Sequence, residues 1–406
     1  MKLKNSAPQS GNWVVAHSGA RDEYQLPISL NEAGLLYRFV TDWYSSFDNK
    51  YISKILHKAP VRILPLLKER FRQELPSDLV VDLKIQRMIG HIVGEEFTEM
   101  RLNRLIGERA AQLANSNESN LLVTSYYGWS AFPNVSKYSK KVLFQIHPHP
   151  MFLRDHYSKH LDTISAYGSL QHEAEMKASD SFLRIWGNES NEADVVIAAS
   201  TFTRMSLLYA GVTPEKIHVV PYGVDESIFR NDISSPTGKV KILFVGQATQ
   251  RKGFNHLLKA WSKIANTDAE LHIVTSAPSS ICNVDLGDSI VLHDRLNIRN
   301  LVMLMNESDL LVLPSIAEGY GHVLLQSLSC GTPVLCSDAT AGPDLLIDWD
   351  QGFIFPNGDI EALKERLEYW LSKKHQLRKI RSDAKQIAAA QTWKKFRLGI
   401  REVCNI

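Results

Sequence analysis

The chain has 406 residues, 44% of them hydrophobic and 22% charged, enough apolar material for two or three domains with cores of their own and more than a small stapled scaffold would need. Forty-six Lys and Arg against 44 Asp and Glu leave a net charge of +2, so no chain-wide field favours nucleic acid as a partner. The four cysteines, Cys282, Cys330, Cys336 and Cys404, show no CxxC spacing and no fitting His cluster, which implies neither a structural zinc nor a disulfide framework.

No apolar run approaches the ~18–20 residues of a membrane span, and the start of the chain lacks the ~7–15-residue apolar core of a signal peptide. A cytoplasmic protein, soluble or peripheral to a membrane, is the expectation.

In chain order, short β-branched runs alternate with helical patterns, the mark of βα units that build parallel sheets. The first half offers strands at Trp13–Ala16, Leu36–Val40, Leu121–Thr124, Val142–Ile146, Val195–Ala199 and His218–Val220. Between the second and third of these lies an interval of helical periodicity from Trp43 to Asn120, long for a βα connection. Its segment 54–72 carries Lys54, Lys58, Arg62, Lys68, Arg70 and Arg72 among apolar residues. Such a basic amphipathic stretch suits either an anionic membrane face or a solvated surface, with Pro60 and Pro65 interrupting any single long helix.

The turn-forming cluster Asn231–Gly238 marks a boundary. Beyond it come strands at Lys241–Val245, Leu271–Val274, Ile290–His293, Leu310–Leu313 and Val334–Cys336, then helical spacing at Ile360, Leu363, Leu367 and Leu371 and further helices with no strand after them. The reading is an α/β chain of two Rossmann-like domains. Residues 1–232 form the first, with a helical insertion at about 43–120, and residues 233–385 the second. Residues 386–406 are a terminal helix expected to pack back on the first.

Ligands of open parallel sheets bind beyond the carboxyl ends of the strands, so the post-strand loops are the candidates. After Leu313 comes Pro314-Ser-Ile-Ala-Glu-Gly-Tyr-Gly-His322, a strand opening through Gly319 and Gly321 into a helix. Its unpaired N–H groups and dipole favour an anion such as a diphosphate. Glu318 can accept from sugar hydroxyls, and Gln326 projects from the helix. After Val245, Gly246 leads to Arg251 and Lys252, two cations suited to phosphates. Neither GxxxxGK[ST] nor GxGxxG is present there.

The third loop, Gln145-Ile-His-Pro-His-Pro150, aims His147 into a cleft, with His149 one step outward. The fourth, after Ala16, holds Gly19 and Arg21, a possible acceptor or phosphate loop. Asp348-Trp-Asp350 has too few oxygen ligands around it for a metal.

Taken together, Ala193–Ser200, Val219-Val-Pro-Tyr-Gly-Val-Asp225, Phe244-Val-Gly246 with Arg251-Lys-Gly253, and Pro314–Pro333 resemble family 4 of the glycosyltransferases, most closely from Asp194 to Asp359. The resemblance implies the GT-B architecture of two facing Rossmann-like domains. It also implies retaining transfer from a nucleotide-sugar donor to a hydroxyl acceptor, with no cofactor or metal. Glu318 matches the first Glu of the family's E-x7-E motif, Arg251 and Lys252 its diphosphate pair, and His147 its cleft-facing His.

His147, Lys252 and Glu318 are therefore the expected catalytic residues, with Gly246, Arg251, Gly319, Tyr320, Gly321, His322 and Gln326 binding the donor. Two positions depart from the pattern: Gln326 replaces the second Glu, and Gln247 stands where relatives often carry a cation. The expected acceptor is a glycan or lipid-linked intermediate of surface polysaccharide or glycolipid synthesis, at the inner membrane face. A nucleotide-sugar epimerase of the same fold and a non-catalytic nucleotide-sugar-binding subunit are the alternatives.

Overall fold

In a computed structural model of the protein, residues 12–48, 64–84, 95–161, 168–230, 236, 238–264, 268–276, 287–346 and 351–405 are described. Among these, two all-parallel sheets divide the chain. The first contains β1 (Trp13–Ala16), β2 (Leu36–Thr41), β3 (Val80–Asp82), β4 (Asn120–Thr124), β5 (Lys141–Gln145), β6 (Val195–Ala198) and β7 (Ile217–Val219), in the spatial order β3-β2-β1-β4-β5-β6-β7.

The second contains β8 (Val240–Val245), β9 (Ala269–Val274), β10 (Ile290–His293), β11 (Leu310–Leu313), β12 (Val334–Ser337) and β13 (Ile354–Phe355), in the order β10-β9-β8-β11-β12-β13. Continuous apolar runs such as Leu121-Leu-Val123 and Leu310–Leu313 are fully buried, as strands covered on both faces must be.

Two short strands escape the periodicity of the sequence. The three-residue β3 pairs with β2 at the sheet's edge, and the two-residue β13 pairs with β12. The interval 43–120 set apart as a helical insertion therefore contains a strand of the first sheet. The helix Glu95–Ser116 packs on β1, β2 and β4, so it is also the covering helix of that sheet. Residues 54–63 of the basic stretch, most of the 231–238 boundary cluster, Cys282 and Asp348–Asp350 lie outside the described residues. Cys330, Cys336 and Cys404 are buried free thiols.

The chain meets itself between the lobes near Val224 and Thr392, which form a parallel bridge. The helix Trp393–Cys404 then packs on the first-lobe helix Gln25–Glu32, where Arg397 reaches Gln25 Oε1 at 2.6 Å and Glu32 Oε2 at 2.9 Å. An aromatic cluster joins the lobes beneath the cleft. Tyr222 stacks on Phe396 at 5.4 Å and meets the edges of Phe144 at 5.5 Å and Tyr320 at 5.2 Å, pairs worth about 0.5–1.5 kcal/mol each beyond their burial. No helix among the described residues is long and apolar enough to cross a membrane.

Candidate active site

Each sheet reverses its strand order once, at β1/β4 in the first and β8/β11 in the second, and at such points the loops diverge and leave a crevice. The loops from both reversals face each other. From the second lobe come the turns after β8 and β11, tied together by the Ile316 N–H donating to the Arg251 carbonyl at 2.8 Å. Gly253 makes this possible. Its φ is +68°, and a Cβ there would lie 1.7 Å from the Pro314 oxygen, so no side chain fits between the turns.

Three donors converge on one oxygen of Glu318. Lys252 Nζ lies 2.5 Å from Oε1, Arg251 Nη1 3.3 Å, and the Ser315 hydroxyl donates at 3.1 Å. Burial works against the charged carboxyl, but Lys252 and Arg251 hold it down to about 2. Arg251 also spans the cleft, its Nε 3.4 Å from Glu173 Oε1 of the first lobe. Gly246 lies beside the Lys252 stem, with its N–H donated to the Val274 carbonyl at 3.0 Å.

Across the crevice stands His147. Solvent reaches its ring, yet the cleft walls surround it, and this desolvation, reinforced by Arg21, Arg251 and Lys252 against the pull of Glu318, lowers its pKa to about 4. The imidazole is therefore neutral at neutral pH and can accept as well as donate. The approach is close: a Cβ on Gly319 would lie 1.9 Å from the Ile146 carbonyl oxygen and 3.3 Å from His147 Cα. Ser200 and Thr203 hydroxyls donate to the Gly319 carbonyl at 2.6 and 3.0 Å. Glu318, the Arg251–Lys252 pair and His147 thus occupy one place, as the sequence requires.

The remaining expected residues divide. Gly321 caps the helix His322–Ser329 in a left-handed conformation, and Gln326 projects half-buried from it. His322 faces the first lobe, with Nε2 3.3 Å from Asp22 Oδ1. Although burial opposes ionisation of Asp22, His322 beside it holds the carboxyl below the usual range. Arg21 acts on His147 through its charge, while its Nε is buried without a partner.

Three placements correct the sequence reading. Tyr320 is 3% exposed and its hydroxyl donates to the Tyr222 carbonyl at 3.4 Å, so its side chain belongs to the aromatic cluster and not to a donor surface. His149 is 2% exposed, with Nε2 3.2 Å from the Gly187 carbonyl oxygen. It packs beneath the helix Asp180–Glu192 because the prolines on either side turn it inward. The Gly19 N–H is donated at 2.7 Å to Asp42 Oδ1 and serves the first lobe's own loop. Asp42 is fully buried and paired with Arg70 at 3.0 Å, and Arg72 pairs with Glu23 at 3.3 Å, so two cations of the 54–72 stretch are engaged inside the lobe.

The sequence reading missed several cleft residues of the first lobe. Tyr126, after β4, has φ +74°, an arrangement that costs an L-residue about 1–2 kcal/mol. Its ring centroid lies 6.2 Å from that of His147, and its hydroxyl donates to Glu175 Oε1 at 2.8 Å. Glu189 accepts from the Tyr126 and Trp129 amides; burial pushes its carboxyl up to about 8 against those N–H groups and that of Gly128. Asp22, Glu23 and Tyr24 form a run of left-handed residues. An isolated polar side chain carries no periodic signal, and positive φ at a non-glycine residue has no sequence mark at all.

A cavity of about 770 Å³ lies away from the cleft, between residues 226–230 and the helix Arg381–Ala389. Two of its arginines serve structure: Arg378 pairs with buried Asp309 at 2.7 Å, and Arg381 donates to the carbonyls of Ser308, Asn306 and Cys330.

Residues 225–387 match the family described as Glycosyl transferases group 1. Among curated proteins, the chain is 27% identical over 185 residues to the MMP alpha-(1->4)-mannosyltransferase of Mycolicibacterium hassiacum, covering 44% of this chain and 45% of that one. It is 27% identical over 202 residues to the alpha-maltose-1-phosphate synthase of Mycolicibacterium smegmatis, covering 43% and 52%. The chain spans about half the length of these relatives.

Among solved structures, sucrose-phosphate synthase from Thermosynechococcus elongatus superimposes with a TM-score of 0.70 at 15% identity, over 97% of this chain and 98% of that one. Anabaena HepE in complex with UDP gives 0.65 at 15% identity, over 97% and 99%. The two facing lobes have the GT-B fold of these solved structures, and residues 225–387 are similar to the glycosyl transferases group 1 family.

Proposed function

We propose that the protein is a retaining glycosyltransferase that moves a sugar from a nucleotide-diphosphate donor to a hydroxyl acceptor. The observation that carries this reading is the convergence of Arg251 and Lys252 on Glu318 directly opposite His147. A diphosphate entering the crevice competes with Glu318 for the same two cations, and the displaced carboxylate becomes free to accept from hydroxyls of the donor sugar. The N–H groups at the start of the helix His322–Ser329 lie beside the same place and favour the same anion.

In the reaction, the bond between the anomeric carbon and the β-phosphate oxygen breaks and its electron pair leaves with the phosphate. The acceptor oxygen bonds to that carbon on the same face and its proton passes to the departing phosphate. Lys252 and Arg251 meet charge that grows in the transition state, the kind of preorganised electrostatics worth about 3–4 kcal/mol per donor. Neutral His147 orients hydroxyls on the opposite wall. Positive charge supplied by side chains means that no step needs a metal.

The mannosyltransferase and maltose-phosphate synthase likenesses support a hexose as the transferred group, and the UDP held by HepE supports a nucleoside diphosphate as its carrier. A role at the cytoplasmic face in polysaccharide or glycolipid synthesis fits this chemistry. Docking on an anionic membrane through 54–72 rests on fewer free cations, because Arg70 and Arg72 are already paired.

The test is a screen of nucleotide-hexoses that follows nucleotide release with and without acceptor. Release that depends on acceptor supports transfer, whereas epimer formation from donor alone supports the epimerase alternative. Lys252→Ala and Glu318→Ala are each expected to lower turnover at least tenfold in folded protein. Near-wild-type transfer by either would reject this site.

A further inference from the structure

The turn after β4 carries a strained residue in the cleft. Tyr126 is an aromatic L-residue with φ +74°, and such strain persists only where the surroundings over-determine it. The restraint comes from the helix Asp180–Glu192. Glu189, 3% exposed, accepts the Tyr126 N–H on Oε1 at 2.7 Å and the Trp129 N–H on Oε2 at 3.1 Å. Gly128 lets it come this close, since a Cβ there would lie 3.0 Å from Glu189 Oε2 and 2.8 Å from the Phe132 ring. One buried carboxyl therefore spans the turn and fixes its backbone at both ends.

The turn delivers its side chain to a particular place. The Tyr126 ring lies 6.2 Å from that of His147 and meets the edge of Trp186 at 5.3 Å. Its hydroxyl donates to Glu175, two residues from Glu173, which faces Arg251 across the crevice. Were Tyr126 to relax to negative φ, its ring would leave His147 and its hydroxyl would leave Glu175. Half-buried Tyr126 beside His147, with half-buried Trp186 packed edge to face against it, makes a wall of the composition that receives a sugar ring: flat π-faces for its C–H groups and, in the neutral His147 imidazole, a partner for its hydroxyls.

We propose that Glu189 is a positioning residue that holds Tyr126 in its strained conformation, and that the Tyr126 turn forms the seat for a carbohydrate acceptor next to His147. This inference rests on the transferase reading and adds which first-lobe residues seat the acceptor's sugar ring and what holds them there. Glu189 acts only through the turn.

Two measurements need no substrate. Tyr126→Gly and Tyr126→Ala remove the same ring, but only glycine adopts φ +74° freely. The glycine variant is expected to melt at the higher temperature, and equal or reversed melting would overturn the strained turn. In Glu189→Leu, amide hydrogen exchange across 126–129 is expected to accelerate at least tenfold, with Glu189→Gln in between. Unchanged exchange would overturn the role of Glu189.

The third measurement is kinetic, with methyl hexopyranosides as acceptor probes and UDP as the donor-site probe. Glu189→Leu and Tyr126→Gly are expected to raise acceptor KM at least tenfold while the Kd for UDP stays within twofold. A parallel loss of UDP affinity, or an unchanged acceptor KM, would overturn the acceptor seat while leaving the transferase reading standing. No transfer by the wild-type protein to any acceptor with any donor would remove that reading and the seat with it, while melting and exchange still decide the turn.

Discussion

The two walls of the cleft are built differently. The second lobe makes its wall from two adjacent βα turns, 246–253 and 314–322, each continuous in sequence and packed on the other through Gly253. The first lobe makes its wall from single residues on separate loops: Arg21 and Asp22 after β1, Tyr126 after β4, His147 after β5 and Glu173 beyond the helix Pro150–His160. The second wall is unstrained apart from glycines that tolerate positive φ, whereas the first stores left-handed backbone at Asp22, Glu23, Tyr24 and Tyr126. Gripping a fixed anion calls for two short motifs with a standing charge. A wall that receives a second substrate is assembled from many places, so its shape depends on restraints such as Glu189.

The sharpest way to break this contrast is Gly319→Ala. A Cβ 1.9 Å from the Ile146 oxygen forces the walls apart while leaving each lobe's own core intact. Turnover is expected to fall about a hundredfold, since a misplacement of ~1 Å across a reacting pair costs that much. Small-angle scattering should show a larger radius of gyration; unchanged scattering with normal turnover would mean the walls need not touch. Next comes the anion grip, where Lys252→Ala and Glu318→Ala each cost at least tenfold in turnover. His147→Ala is expected to cost less than either, because it stands opposite the developing charge.

Acid separates the lobes by stability. His17, His147, His149 and His160, all of the first lobe, are each lowered to about 4, mainly by burial. Their folded values lie below the unfolded value, so between pH 6.5 and 4 the unfolded chain binds more protons and stability falls as pH falls. For His17 and His149, 1% and 2% exposed, the loss is on the order of 3 kcal/mol each across that window. In the second lobe buried His272 and half-buried His293 are lowered as well, again by burial, but they are two groups against the first lobe's four.

Hydrogen exchange at pH 7 and at pH 4.5 is expected to show first-lobe amides losing protection ahead of second-lobe amides. The reverse order would contradict the assignment. Glu318 has the opposite sign. Its depressed carboxyl contributes above its unfolded value and that contribution is lost only as pH falls toward about 2. The bridge between the walls comes last: Asp22→Asn takes the charge from a buried carboxyl facing His322 and is expected to lower the melting temperature, whereas an unchanged melting temperature would mean that the pair does not hold the walls together.

Legibility in the sequence follows the same division. Apolar runs longer than three residues announce buried strands, so both sheets were readable; β3 and β13 are too short to carry a period. The second wall was readable because glycine, a carboxylate and paired cations recur at fixed offsets after a strand. Of the first wall, only His147 and Arg21 carried a signal, through the Pro-rich exit of β5 and the glycine loop after β1. Asp22 meets His322 across 300 positions of chain, and Glu189 supports Tyr126 across 63. Neither pairing has a local pattern. Tyr320 and His149 misled for a related reason: a residue beside a motif shares its sequence address, while its side chain turns toward whichever core needs filling.

The function of the cleft turns on where a diphosphate binds. The most direct measurement is a crystal structure of the protein with UDP or GDP bound. The diphosphate is predicted within hydrogen-bond reach of Arg251 and Lys252, with Lys252 parted from Glu318 and His147 on the facing wall. A nucleotide seated elsewhere, with the Lys252–Glu318 pair intact, would contradict it.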